Sequence, residues 1–255
     1  MTTSQIVALG FTLLFLGLIL VFALLISKKK AGGTHLRAIP AFQHLWRAIG
    51  LAVEDGTRLH FSIGRGAVNS PESASAFASL SMLTRIMRII SISDKAPVAT
   101  AGDGALAVLT RDTLRAAYQD MGQATQYQPV AGRLTGITPF AFAAGIQPII
   151  ADEEVSANVL IGHFGPEIAL IMEAGERKNN LTLAGSDHLA GQAVLYTGTQ
   201  EPLIGEEVYA GSAYLQAGTL HTASLRAQDI MRWLVIIAIL GGAVLRFLGF
   251  IPFGR

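Results

Sequence analysis

The sequence predicts an α/β fold: a mostly parallel sheet with helices on both faces, in Rossmann-like layering, flanked by N- and C-terminal transmembrane helices. Three observations predict it. Short β-rich runs alternate with helical runs through the middle of the chain, the pattern of parallel strands joined by crossover helices. One of those runs, Ala157 to Ile161, is apolar throughout, as in a strand covered on both faces. Both ends of the chain are long apolar stretches. They help raise the hydrophobic share of the 255 residues to 51% and leave only 15% charged, against roughly 25% charged in an average soluble domain.

The N-terminal stretch, Ser4 to Ile26, runs 23 residues without a charge. As a helix it would be about 35 Å long, enough for a hydrocarbon core of about 30 Å, and it has no polar face. No positive charge precedes it, the apolar run is too long for a signal peptide and no small-residue cleavage site follows, so it reads as a retained anchor. Lys28, Lys29 and Lys30 come next. By the positive-inside rule that end faces the cytoplasm. At the other terminus, Trp233 to Leu245 is 13 apolar residues, only about 20 Å of helix. Extension to Phe253 makes 21 residues with Arg246 inside the run. An arginine there snorkels to the far interface, Trp233 suits the near one, and Arg226 and Arg232 flank the cytoplasmic side. A second span is expected. The competing arrangement is a re-entrant or interfacial helix, or one docked in an oligomer, where Gly241 and Gly242 permit close packing.

This divides the chain into an anchor at residues 1–30, a cytoplasmic α/β domain at 35–230 and a transmembrane or membrane-associated helix at 231–255. Within the domain, apolar residues from Leu36 to Val53 recur near the helical period and Pro40 interrupts that helix early. Asp55-Gly56 ends it. Arg58 to Ile63 alternates as a strand. Ser70, Pro71 and Glu72 form a helix start, and the helix runs to Ile90. Strands are expected at Pro97–Ala101, Tyr127–Gly132, Ala157–Ile161 and Leu181–Ala184. Helices are expected from Gly104 to Met121, from Thr138-Pro139 to a bend or stop at Pro148, and from Gly165-Pro166-Glu167 to Arg177-Lys178. Three more helices close the domain, at 187–197, at 205–217 and from Thr219 onward. No breaker lies between Leu220 and Leu240, so the last helix continues into the apolar run.

Candidate functional residues follow the strands. In open α/β sheets ligands bind outside the carboxyl ends of the strands, at a switch point, where glycine lets backbone approach a ligand and helix N-termini offer free N–H groups. The loops there carry Gly64, Arg65 and Gly66; Gly102, Asp103 and Gly104; Gly162, His163 and Gly165; and Gly185, Ser186 and Asp187. Together they suit a small anionic ligand, a nucleotide among the candidates. Tight strand-to-helix turns use glycine whatever their function, and neither G-x-G-x-x-G nor G-x-x-x-x-G-K-[ST] is present, so no cofactor is identified. Among the six histidines there is no H-x-x-x-H or H-E-x-x-H spacing. His163 and His188 share the strand-end loops with Asp103 and Asp187, a set from which a general base or a metal site is conceivable. No catalytic or metal-ligating residue is assigned.

Composition excludes some classes. Without cysteine there is no disulfide framework, thiolate nucleophile or cysteine zinc site. A net charge of +1, with dispersed basic residues and no interleaved aromatics, argues against nucleic acid as a partner. The lipid bilayer and a homo-oligomer or membrane complex are the expected partners. The stretches HLWRAIGLAVEDGTRLHFSIGRG (His44–Gly66) and IGHFGPEIALIMEAGERKNN (Ile161–Asn180) resemble an uncharacterised bacterial family of membrane-anchored proteins with a domain of unknown function. The resemblance implies a bacterial inner-membrane protein and carries over no catalytic residues. The expected function is a non-enzymatic scaffold, sensor or assembly subunit whose domain binds a small anionic ligand. A membrane-tethered enzyme using the strand-end crevice is the alternative.

Overall fold

A computed structural model describes residues 2–28, 36–90, 95–199 and 202–248. Lys29, Lys30, His35 and the end of the C-terminal run, Gly249 to Phe253, lie outside the described residues. The chain divides into two compact units. One is built from α1 (Thr3–Lys28) and α9 (Thr219–Phe247), which pack along each other. Both are long and apolar enough to cross a membrane, with mean hydropathy 2.9 over Thr3–Ser27 and 2.0 in α9. Helix α9 is continuous through the run from Leu220 to Leu240 and carries Arg246 in its last turn.

The other unit, Leu36–Ala217, begins with α2 (Pro40–Glu54) and β1 (Arg58–Gly64). Then come α3 (Ser73–Ile90), β2 (Val98–Ala101), α4 (Gly104–Asp120) and β3 (Gly132–Leu134). The second half runs α5 (Pro139–Asp152), β4 (Val155–His163), α6 (Ile168–Arg177), β5 (Leu181–Ser186), α7 (Leu189–Gly198), β6 (Leu203–Ile204) and α8 (Glu207–Tyr214). The six strands form one sheet in the order β3-β2-β1-β4-β5-β6, every neighbouring pair parallel. The α/β expectation therefore holds. Because the chain moves outward from β1 to β3 and then crosses back to β4, the switch point falls between β1 and β4.

Strand alternation sorts the core. Leu59, Phe61 and Ile63 of β1 and Ala157, Val159 and Ile161 of β4 face a core with α2, α3, α4 and α8. Leu160 and Ala184 face the opposite core, with α5, α6 and α7. On that second face β1 presents His60 instead of an aliphatic side chain, fully buried between two polar neighbours. His60 Nδ1 lies 3.2 Å from Asn158 Oδ1, and Nε2 lies 2.9 Å from Thr100 Oγ1. An amide oxygen only accepts, so Nδ1 carries the proton and Nε2 accepts from the threonine hydroxyl. Burial pushes this imidazole down to about 4, more than the Asn158 hydrogen bond raises it.

Several boundaries differ from the sequence expectations. The third strand sits at Gly132–Leu134 instead of Tyr127–Gly132, because Pro129 opens a short 3-10 turn ahead of it and proline has no N–H for a ladder. Helix α3 starts at Ser73, not Ser70. The Ser70 hydroxyl instead closes a local turn by donating to the Ala67 carbonyl. Pro40 begins α2 at its first position and does not interrupt it, and Pro148 sits inside α5 without stopping it. The two-residue strand β6, absent from the sequence reading, lies between α7 and α8. It is too short to show a period.

Candidate functional site

Two glycines bring the ends of β1 and β4 together at the switch point. The register passes from Ser62 opposite Leu160 to Gly64 opposite His163, so β4 holds one extra residue there. Gly162 has φ +151° and Gly64 φ +80°, conformations that side-chain-bearing residues avoid. A Cβ on Gly162 would also strike the Ile63 carbonyl, and one on Gly64 would stand 2.5 Å from the His163 carbonyl oxygen. The Arg65 N–H then donates to that same carbonyl at 2.9 Å, which sets Arg65 and His163 side by side at the carboxyl edge of the switch point.

Two charged pairs occupy this carboxyl edge. Arg65 crosses the end of β2, where Gly102 leaves room for its stem, and its Nε donates to Glu167 Oε1 at 3.0 Å. The Glu167 side chain is only 2% exposed. Burial opposes its charge, but the backbone N–H groups of Gly165 and Glu167 and the Arg65 guanidinium outweigh that and hold the carboxyl below the usual carboxylate range. The Arg65 Nη groups have no hydrogen-bond partner among the described residues. In the second pair, His163 Nδ1 donates to Asp187 Oδ1 at 2.8 Å. That hydrogen bond raises the His163 imidazole above its ordinary value against the opposing effect of burial. The His188 ring stands edge-on to His163, with centroids 5.2 Å apart. The charge of Glu72 acts on both His163 and Asp187.

Of the sequence-predicted residues, the structure brings Arg65, His163 and Asp187 to one edge, with the glycines that shape it. Asp103 stands apart: its carboxylate caps α4 by accepting from the Leu106 N–H at 3.0 Å, as helix N-caps do. Asp187 pairs with His163, and His188 takes the cap position of α7. Ser186 is buried and spent on structure, donating to the Phe164 carbonyl and accepting from the N–H groups of Phe164 and His188. Gly66 packs against the Glu72 backbone, Gly185 lies against Leu203, and Gly104 has open space around it.

Glu167 is the member the sequence reading missed as a site residue. In sequence it was one acid in a helix start, and the only hint was Gly165 two residues earlier, where a side chain would collide with its carboxylate. Among the described residues no group of three or more His, Asp or Glu is arranged to hold a metal ion. Two cavities, of about 460 and 430 Å³, lie at the opposite, amino edge of the sheet. They share His44, Asn179 and Leu181 and contain none of the predicted site residues.

A family model described as Domain of unknown function (DUF6754) matches residues 1–253, in agreement with the resemblance of the His44–Gly66 and Ile161–Asn180 stretches. No curated protein and no solved structure matches the chain.

Proposed function

The chain belongs to this family, and from that premise we propose that it is a membrane-anchored, non-enzymatic sensor or assembly subunit whose α/β unit binds a small anionic ligand at the β1/β4 switch point. One observation carries the reading: the Arg65 guanidinium is held there through Nε alone, leaving its Nη donors unpartnered among the described residues. A guanidinium fork of that kind matches a carboxylate or phosphate. His163, with its raised affinity for a proton, adds a second donor beside it.

The apolar helices α1 and α9 support two membrane spans. The Lys28–Lys30 cluster supports a cytoplasmic α/β unit with both termini outside, in a bacterial inner membrane. Where the chain enters and leaves the α/β unit, Arg37 pairs with Glu207 and the Tyr214 hydroxyl donates to the Arg37 carbonyl at 2.7 Å. A homo-oligomer or membrane complex fits an anchored sensor with little bulk of its own.

Purification of the full chain in mild detergent, followed by native mass spectrometry, tests the reading. A co-purifying anionic metabolite that is lost in Arg65→Met is the expected result. A ligand retained by that variant would defeat it. A reporter fused after Lys30 should score as cytoplasmic, and a periplasmic score would reverse the orientation.

A membrane-tethered enzyme is the second reading, favoured by the His163–Asp187 pair. An aspartate that orients and charges an imidazole is the arrangement general acid–base chemistry uses. Turnover of the co-purified metabolite, abolished in His163→Gln, would decide for it.

A further inference from the structure

At the β1/β4 switch point the protein places a negative charge of its own against Arg65. The Glu167 carboxylate is almost fully buried. It accepts at 3.0 Å from the Gly165 N–H and at 3.0 Å from Arg65 Nε, so it takes one donor from the loop after β4 and one from the arginine after β1. Those donors flank the switch point, where a ligand's anionic group is received in folds of this layering. Surface salt bridges do not need this arrangement. The carboxylate is withdrawn from water, held ionised by its surroundings, and given its space by a glycine, since a Cβ on residue 165 would stand 2.5 Å from Glu167 Oε2.

We propose that Glu167 is an internal stand-in for the ligand's anionic group, and that a carboxylate- or phosphate-bearing ligand binds by displacing it from Arg65. The inference rests on the anionic-ligand reading and adds how the site is regulated: the resting state is closed by an intramolecular anion, and only a ligand that satisfies Arg65 better opens it. The Nη donors supply the first contact, before the Nε–Glu167 bond is exchanged. Arg65 stays neutralised throughout, so at no stage is this partly buried cation left without a counter-charge. Ligands lacking an anionic group have nothing with which to compete for Arg65 and are rejected.

The alternative is that Glu167 merely holds Arg65 in place, and the two ideas differ in sign. Calorimetric titration of the full chain in non-ionic detergent, with inorganic phosphate and with acetate as probes, separates them. In Glu167→Gln the competing charge is gone, and phosphate binding should tighten about tenfold, the equivalent of one charge-assisted contact released. Gly165→Ala, which keeps Glu167 but crowds its carboxylate out of the seat, should tighten binding in the same direction. Preference for phosphate over acetate identifies a phosphorylated ligand, and the reverse a carboxylic acid; either order supports displacement. Unchanged or weaker binding in variants that fold, as judged by their melting, overturns the stand-in while leaving the ligand reading intact. Absence of anion binding in the unsubstituted chain and both variants overturns both. Failure of both variants to fold would mark Glu167 as structural and likewise overturn the proposal.

Discussion

His60 and His163 lie on neighbouring strands of the same sheet, β1 and β4, yet their surroundings drive them in opposite directions. His60 sits in the middle of the sheet, fully buried, with a threonine hydroxyl and an asparagine amide as partners. Burial pushes it down to about 4, so it is a neutral polar link across three strands. His163 stands at the carboxyl edge, partly open to water, with the Asp187 carboxylate on Nδ1, and its affinity for the proton rises. The difference lies in the partner. An uncharged partner cannot repay the desolvation of a cation, whereas a carboxylate can. The centre of this sheet is built to exclude charge, and its edge is built to collect it.

The sharpest way to break that division is at its boundary. Gly162→Ala puts a Cβ against the Ile63 carbonyl at a positive φ. Strain and overpacking together should cost about 4 kcal/mol, visible as a large fall in the denaturant midpoint. A loss below 1 kcal/mol would show that the β1/β4 bulge is not needed to assemble the edge.

Acid should reveal the centre. His60 binds its proton in the unfolded chain at about 6.5 but in the folded chain only near 4. Its contribution is therefore whole above pH 6.5, is lost as pH falls towards 4, and amounts to about 3 kcal/mol over that window. Denaturant unfolding at pH 7, 5.5 and 4 measures it, and His60→Asn should remove that part of the slope.

Arg65→Met strands the buried Glu167 carboxylate on backbone donors alone and should cost about 2 kcal/mol, less than for a fully buried pair because the arginine is partly exposed. Equal stability would place the pair among ordinary surface bridges.

Asp187→Asn is the mildest test. The raised His163 value means that the pair adds stability below pH 6.5 and loses it as pH rises through the folded value. The substitution should lower the His163 titration midpoint, followed by NMR of the ring protons, while changing stability by less than about 1 kcal/mol. A midpoint that does not move would remove Asp187 as the cause.

Particular residues show what could be read early and what could not. Arg65, His163 and Asp187 were legible as strand-end residues because a parallel sheet places every such loop on one edge. Their partners were not. Asp103, expected in the same crevice, immediately precedes α4, and its carboxylate caps that helix by accepting from the Leu106 N–H. Glu167 read as a helix-start acid, because nothing local shows that Arg65, 102 residues earlier, arrives beside it.

The alternation of strands and helices, the apolar central strands and the two long apolar terminal helices are legible in the chain alone. Each of these follows from a residue's own periodicity and polarity within a few turns of chain. The order β3-β2-β1-β4-β5-β6, the bulge at Gly162, and the pairing of Arg65 with Glu167 and of His163 with Asp187 are not legible there. Those depend on which strands become neighbours and in what register. The reason is physical: hydrogen-bond and charge partners are chosen over a few ångströms of space, and parallel strands bring together residues that the chain keeps far apart.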